Sequence, residues 1–229
     1  MKSNYAFIFA RGGSKELKNK NIKLFNGKPL IFYSINLAKK NKKIKKIFVS
    51  SDNSKILKIA KKYGAHTIIR PKSLSNDKSS EIKAWKHAIK YLQKKNDSFD
   101  NFISLPCTSP LRIEKDINLA IKKITKGNDI VLAISKSNKF PDFNMVKKRG
   151  NKVELLRKEK FFYNRQESKK TFNLTTIIYA CSSKFILKIK KSYWEGNVKF
   201  IEIPKIRSID IDDLSDFKLA ELIYKNKKF

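Results

Sequence analysis

Short, almost uninterrupted apolar runs alternate along this chain with longer stretches whose apolar residues return with the helical period. Tyr5–Ala10 (YAFIFA), Ile47–Ser51 (IFVSS), His66–Arg70 (HTIIR), Phe102–Leu105, Ile130–Ser135, Thr176–Cys181 (TIIYAC) and Lys199–Ile203 (KFIEI) read as strands. Runs this continuous suit strands covered on both faces. Between them lie helical stretches: PLIFYSINLAKK opened by Pro29, Asn53–Tyr63 stopped by Gly64, Ser79–Lys95, Lys115–Lys126 and Leu214–Lys228. Proline at a start, glycine after an end, serines ahead of a first turn and lysines in a last turn are the punctuation that helices need. The alternation predicts an α/β, Rossmann-like domain with a mainly parallel sheet. From Phe140 to Lys170 the periodicity breaks, and that segment reads as an excursion of hairpin-like pieces. No repeat or linker divides the chain, so residues 1–229 are expected to form one domain.

Composition narrows the function classes. The formal net charge is +33, from 53 lysines and arginines against 20 acidic residues. A basic surface is the usual footprint of a nucleic-acid binder, which is the alternative from a different class. Only seven of these cations are arginine, however, the lysines spread along the whole chain, and no recognised nucleic-acid-binding pattern is present. The charge reads as solvated faces, and a nucleic-acid partner is not expected. Two cysteines without CxxC spacing, and no histidine cluster, argue against a disulfide framework or a zinc site and fit a reducing, cytoplasmic setting. No apolar run approaches a membrane span, and MKSNYAFIFARGG runs into an arginine-glycine loop instead of a cleavage site.

Two segments carry chemistry. The first is Arg11-Gly12-Gly13-Ser14-Lys15, continuing to Lys20-Asn21, directly after the first strand. Glycines let backbone N–H groups come close to phosphate oxygens, and Arg11, Lys15 and Lys20 add positive charge. It is neither a Walker loop nor GxGxxG. The second is Ile209-Asp210-Ile211-Asp212. In extended chain, residues two apart share a side, so Asp210 and Asp212 can face one hard cation such as magnesium. Asp213 and Asp216 instead sit where a helix begins and read as capping residues.

In order along the chain come ARGGSK…KN, Lys28-Pro29-Leu30, Val49-Ser50-Ser51-Asp52, Arg70-Pro71, Asp77 with Ser79-Ser80, Thr108-Ser109-Pro110-Leu111-Arg112, Arg165-Gln166 and IDID. From residue 5 to about residue 221 this series resembles the acylneuraminate cytidylyltransferases. The resemblance implies transfer of CMP from CTP to a nonulosonic, sialic-acid-like sugar acid, with release of pyrophosphate. An eight-carbon ulosonic acid (Kdo or amino-Kdo) is the alternative acceptor. It further implies a role in making cell-surface polysaccharide.

By motif match, Arg11, Ser14, Lys20 and Asn21, with the backbone of Gly12 and Gly13, would hold the triphosphate. Arg70, Asp77 and Ser79 would meet the cytosine and ribose. Asp210 and Asp212 would hold Mg2+, and Arg11, Lys20 and Asp212 would do the catalytic work. Arg165, Gln166 and Thr175 would contact the acidic sugar, and the 140–170 excursion would build a homodimer. The chain departs from the resemblance mostly on the sugar side. Pro106 stands where such enzymes typically have glutamine, Thr175-Thr176 where they have Asn-Gly, and Phe143 where a lysine is usual. Glu16 and Lys18 replace the first loop's usual glycine and proline.

Overall fold

The computed structural model describes residues 2–14, 16–76, 79–157 and 170–226. In chain order, β1 (Asn4–Phe9) is followed by the small ribbon of β2 (Leu24–Phe25) and β3 (Lys28–Pro29). Next come α1 (Leu30–Lys40), β4 (Ile44–Ser51), α2 (Ser54–Lys62), β5 (His66–Ile69), α3 (Glu81–Gln93) and β6 (Asn101–Ser104). The second half holds α4 (Glu114–Lys123), β7 (Asp129–Lys136), the hairpin of β8 (Val146–Arg149) and β9 (Lys152–Leu155), and β10 (Phe172–Ser182). It closes with α5 (Ser183–Lys188), β11 (Asn197–Glu202) and α6 (Leu214–Lys225).

The seven-stranded sheet has the order β11-β7-β10-β6-β1-β4-β5. β1 pairs in parallel with β4 and β6, as do β4 with β5 and β7 with β11; only β10 runs antiparallel, between β6 and β7. The α/β, mainly parallel expectation therefore holds. Alternate residues of β1 explain both cores: Ala6 and Ile8 pack with α1, α2 and α4, while Tyr5 and Phe7 pack with Trp85 of α3 and Phe185 of α5 on the other face. A third cluster, with Phe25, Leu30, Tyr33, Ile211 and Phe217, fastens α6 against α1.

Several boundaries differ from the sequence reading. The helix expected from Ser79 begins at Glu81, with Ser80 as its cap residue, and the strand expected from Thr176 begins at Phe172. α5, only six residues long, was not foreseen. In the excursion, the described part is the β8–β9 hairpin, anchored by a two-pronged Arg157–Asp142 pair with both bonds at 2.7 Å.

The carboxyl ends of β1, β4, β5 and β6 share one edge of the sheet. The chain turns from β4 on one side of β1 to β6 on the other, and such a reversal leaves a crevice at that edge.

Candidate active site at the carboxyl edge of the sheet

A cavity of about 600 Å³ opens at this crevice. One wall is the loop after β1, with Arg11, Ser14, Lys20 and Asn21; the opposite wall comes from Arg70, Ser79 and Glu81; Thr108 and Asp212 lie between them. Residues spread over the whole sequence meet here because each follows the end of a parallel strand or starts a neighbouring helix.

The first loop is held in shape by its neighbours. Gly12 donates its N–H to Asp52 Oδ1 at 3.0 Å, and the same carboxylate lies 4.0 Å from the Arg70 guanidinium. A Cβ on Gly12 would stand 2.8 Å from Asn53 Nδ2, so glycine is required there by space. Asn53 cannot easily give way, because its side chain caps α2 by accepting from Lys55 N and Ile56 N. Asn21, buried, donates to the Arg11 carbonyl at 3.0 Å and closes the loop on itself. Gly13 has open space around it. Asp52 is the organiser that the sequence reading left without a role.

Arg70 is buried, with its Nε–H donated to Ser75 Oγ at 3.0 Å, and burial lowers its pKa. Ser79 turns a buried hydroxyl toward the cavity wall that finds no hydrogen-bond partner. Glu81, at the start of α3, was also missed. Crowding raises its carboxyl to about 7, against partial relief from Trp85 and Arg70, although water in the cavity still reaches the side chain.

The Ile209–Asp212 segment enters from the far end of the chain and is tied down along its backbone. Ile211 N donates to the Thr108 carbonyl at 2.9 Å, and Lys20 Nζ donates to the Ile211 carbonyl at 2.6 Å. Just upstream, the buried Arg207 grips buried Asp116 of α4 with both guanidinium nitrogens. Asp212 is exposed and pairs with Lys20 at 3.1 Å. Asp210 is recessed, and burial raises its pKa, with the hydroxyls of Thr108 and Thr176 and the charge of Lys20 offsetting part of the effect. Its Oδ1 is buried and has no hydrogen-bond partner. Asp213 and Asp216 form a reciprocal cap on α6, as expected.

An unsatisfied buried carboxylate oxygen, two residues from an exposed carboxylate, fits a divalent cation. Among the described residues no three His, Cys, Asp or Glu side chains form a ready-made cage. Two carboxylates suffice for magnesium, which keeps waters and substrate phosphates as the rest of its shell.

The Thr108–Arg112 turn acts as a brace. β10 leaves regular pairing with β7 between Thr175 and Tyr179, and Arg112 donates its Nε–H to the Ile177 carbonyl inside that irregular stretch. The same guanidinium, fully inside the protein, bonds Ser34 Oγ at 3.1 Å and the Pro106 carbonyl at 2.8 Å; burial lowers its pKa to about 10. Thr176 meets Ser109 at 2.8 Å, whereas Thr175 donates to the Ala133 carbonyl at 3.1 Å, within the sheet. Lys15, Asp77, Arg165 and Gln166 lie outside the described residues.

The family model described as cytidylyltransferase matches residues 5–229. A pseudaminic acid cytidylyltransferase of Campylobacter jejuni is 32% identical over 224 residues, 97% of this chain and 96% of that protein. An N-acylneuraminate cytidylyltransferase of Escherichia coli is 30% identical over 97% of this chain, which spans 52% of that longer protein. In fold, the chain is similar to a CMP:2-keto-3-deoxy-manno-octonic acid synthetase solved with CTP. The TM-score is 0.74 at 14% identity, covering 98% of this chain and 99% of that one.

Proposed function

The chain belongs to the cytidylyltransferase family, and from that premise we propose that it transfers CMP from CTP to a nonulosonic, sialic-acid-like sugar acid and releases pyrophosphate. The observation that carries this reading is the cavity itself, where Arg11 and Lys20 face the edge bearing Asp210 and Asp212. In the transfer, an acceptor hydroxyl attacks the α-phosphate, a new P–O bond forms, and the bond to pyrophosphate breaks. Little covalent help is needed; position and charge do most of the work.

The residues divide that work. Arg11, Ser14 and Lys20 would bind the triphosphate, with Asn21, Gly12 and Gly13 keeping the loop open toward it. Arg70, Asp77 and Ser79 would receive the base and ribose. Asp210 and Asp212 would hold magnesium, which when bound supplies positive charge to the phosphate oxygens. Lys20 keeps an ammonium beside the same carboxylate and the same phosphates. Arg165, Gln166 and Thr175 would serve the acceptor, Thr175 by setting the β10 backbone through its bond to Ala133.

A homodimer built through the excursion is part of the proposal. Its support is the row of exposed apolar side chains on the hairpin and the projecting end of β10: Val146, Val153, Leu156, Phe172 and Leu174. No helix among the described residues is long and apolar enough to cross a membrane. The proposed setting is the cytoplasm, supplying activated sugar for cell-surface polysaccharide. Pyrophosphate release, assayed with each nucleoside triphosphate and a panel of acid sugars, tests the reaction. Turnover with UTP or ATP but not CTP would overturn it.

A further inference from the structure

Glu81 is an odd residue for this cavity. A site that must take a triphosphate and an acid gains nothing from a carboxylate on its wall unless something there offers it a proton to share, because like charges repel. The other acidic group at the centre of the site, Asp212, is paired with Lys20. Glu81 has no ion pair with any described residue; Arg70 only attracts it from nearby and Asp210 repels it. The indole N–H of Trp85, buried one turn along α3, lies beside it yet completes no hydrogen bond. The helix therefore fixes the carboxylate in place while its hydrogen-bonding capacity stays open.

Its surroundings point to the substrate it meets. Trp85 packs on Tyr179 with ring centroids 5.4 Å apart, and Tyr179 on Tyr193 at 6.0 Å. Burial chiefly raises the pKa of both tyrosines, and the charge of Glu81 adds to it in each case. Glu81 thus belongs to the β10 side of the cavity, with Tyr179, Tyr193 and Asp210. Under the function proposed above, on which this inference rests, that is the side where the acceptor approaches the nucleotide.

We propose that Glu81 selects the acceptor, its carboxylate accepting a hydrogen bond from an N–H or O–H group of the sugar acid on the part remote from the sugar's own carboxylate. An open acceptor fixed in a wall discriminates strongly, because it is left unpaired when the matching donor is missing. Sugar acids bearing an amine, amide or hydroxyl at that place are favoured, and those deoxygenated there are rejected.

The test compares wild type with Glu81→Ala and Glu81→Gln, using a good acceptor and an analogue lacking the donor group. Glu81→Ala is expected to lower kcat/KM for the good acceptor by roughly ten- to a hundredfold, the scale of a hydrogen bond to a charged group. Kinetics with the analogue should barely change, and Glu81→Gln, whose amide oxygen still accepts, should recover part of the loss. The KM for CTP and the preference for CTP over UTP should stay as in wild type. A raised KM for CTP, or a lost preference over UTP, would place Glu81 at the base and overturn the proposal, as would unchanged acceptor kinetics. Calorimetric binding of the acid sugars to the protein separates the two readings. Wild type that binds an acid selectively through Glu81 yet releases no pyrophosphate sinks the reaction and keeps the selector; binding of none of the acids sinks both.

Discussion

Lys20 Nζ lies 3.1 Å from Asp212 Oδ1, joining the loop after the first strand to a segment 192 residues further along. The ammonium also holds the Ile211 carbonyl at 2.6 Å, so it fixes backbone as well as charge. One cation therefore sets the distance between the wall that would bind phosphate and the carboxylates that would bind metal. Lys20→Ala is expected to cut kcat by roughly a hundredfold, the scale for removing a key electrostatic contact, and to raise the magnesium concentration needed for half-maximal rate. Unchanged magnesium dependence would mean that the pair does not organise the metal site.

Asp210→Asn and Asp212→Asn should each lose roughly a hundredfold or more in kcat while keeping the wild-type fold by circular dichroism. A neutral amide is a poorer ligand for a hard cation. Asp210→Asn should not destabilise the protein, because the buried oxygen it neutralises has no partner to lose. EDTA should abolish the wild-type activity, and magnesium should restore it. Variants that turn over like wild type at low magnesium would move the metal elsewhere.

The buried Arg207–Asp116 pair holds the approach to Asp210 from a distance. Arg207→Ala leaves Asp116 buried without its partner, which costs about 3–5 kcal/mol. The melting temperature should fall, and activity should fall further than stability alone explains, since the Asp210–Asp212 segment loses its anchor. Thermal melts and kinetics measured well below the melting point separate the two effects.

Acid stability should depend on Asp129. Burial alone would raise its pKa, but the N–H groups of Lys126 and Thr125, the Lys199 ammonium at 2.7 Å and the Asn197 amide at 2.7 Å outweigh that and hold it well below the usual 3.8. The folded protein then binds fewer protons than the unfolded chain between the two values. The stabilisation is present above the unfolded value and is lost as pH falls below it. Melting temperatures from about pH 6 to about pH 2 should show a steeper acid limb for wild type than for Asp129→Asn. Parallel curves would remove Asp129 from the acid response.

Much of this was legible because parallel strands buried on both faces leave continuous apolar runs, and their carboxyl ends collect whatever polar residues follow. Arg11, Ser14, Lys20, Asn21, Arg70, Ser79 and Asp212 could be picked out that way, and they line one cavity. What stayed hidden has physical reasons. A glutamate in a helix's first turn is favoured by the helix dipole wherever it occurs, so Glu81 carried no signal of its own. Arg112 looked like a site cation, but its donors all point at backbone and Ser34, which only the fold brings together. The first residues of β10 were missed because Phe172 and Leu174 are exposed and alternate with polar Asn173 and Thr175. The antiparallel direction of β10 depends on the path of the excursion, which periodicity does not record.

The acceptor is where this chain should differ most from an N-acetylneuraminate enzyme. A sugar site must meet a carboxylate with positive charge and then sort the remaining groups by fixed partners. Three positions that would carry long polar side chains by resemblance do not do so here. Pro106 contributes only a carbonyl, already taken by Ser34 and Arg112. Thr175 spends its hydroxyl on the Ala133 carbonyl, and Phe143 is apolar and half-buried. Reach toward a distal polyol is thereby reduced, while the Glu81 carboxylate adds a hydrogen-bond acceptor on the β10 side. The combination suits a sugar acid with a deoxygenated or differently substituted end that still bears an N–H or O–H donor, such as legionaminate or an eight-carbon amino sugar acid. Steady-state kcat/KM should therefore be lower with N-acetylneuraminate than with such acids, by roughly tenfold or more, the scale of one or two lost polar contacts. A neutral sugar lacking the carboxylate should not turn over. If N-acetylneuraminate proves the preferred substrate, neighbouring lysines must supply from other positions the contacts that Pro106, Phe143 and Thr175 do not.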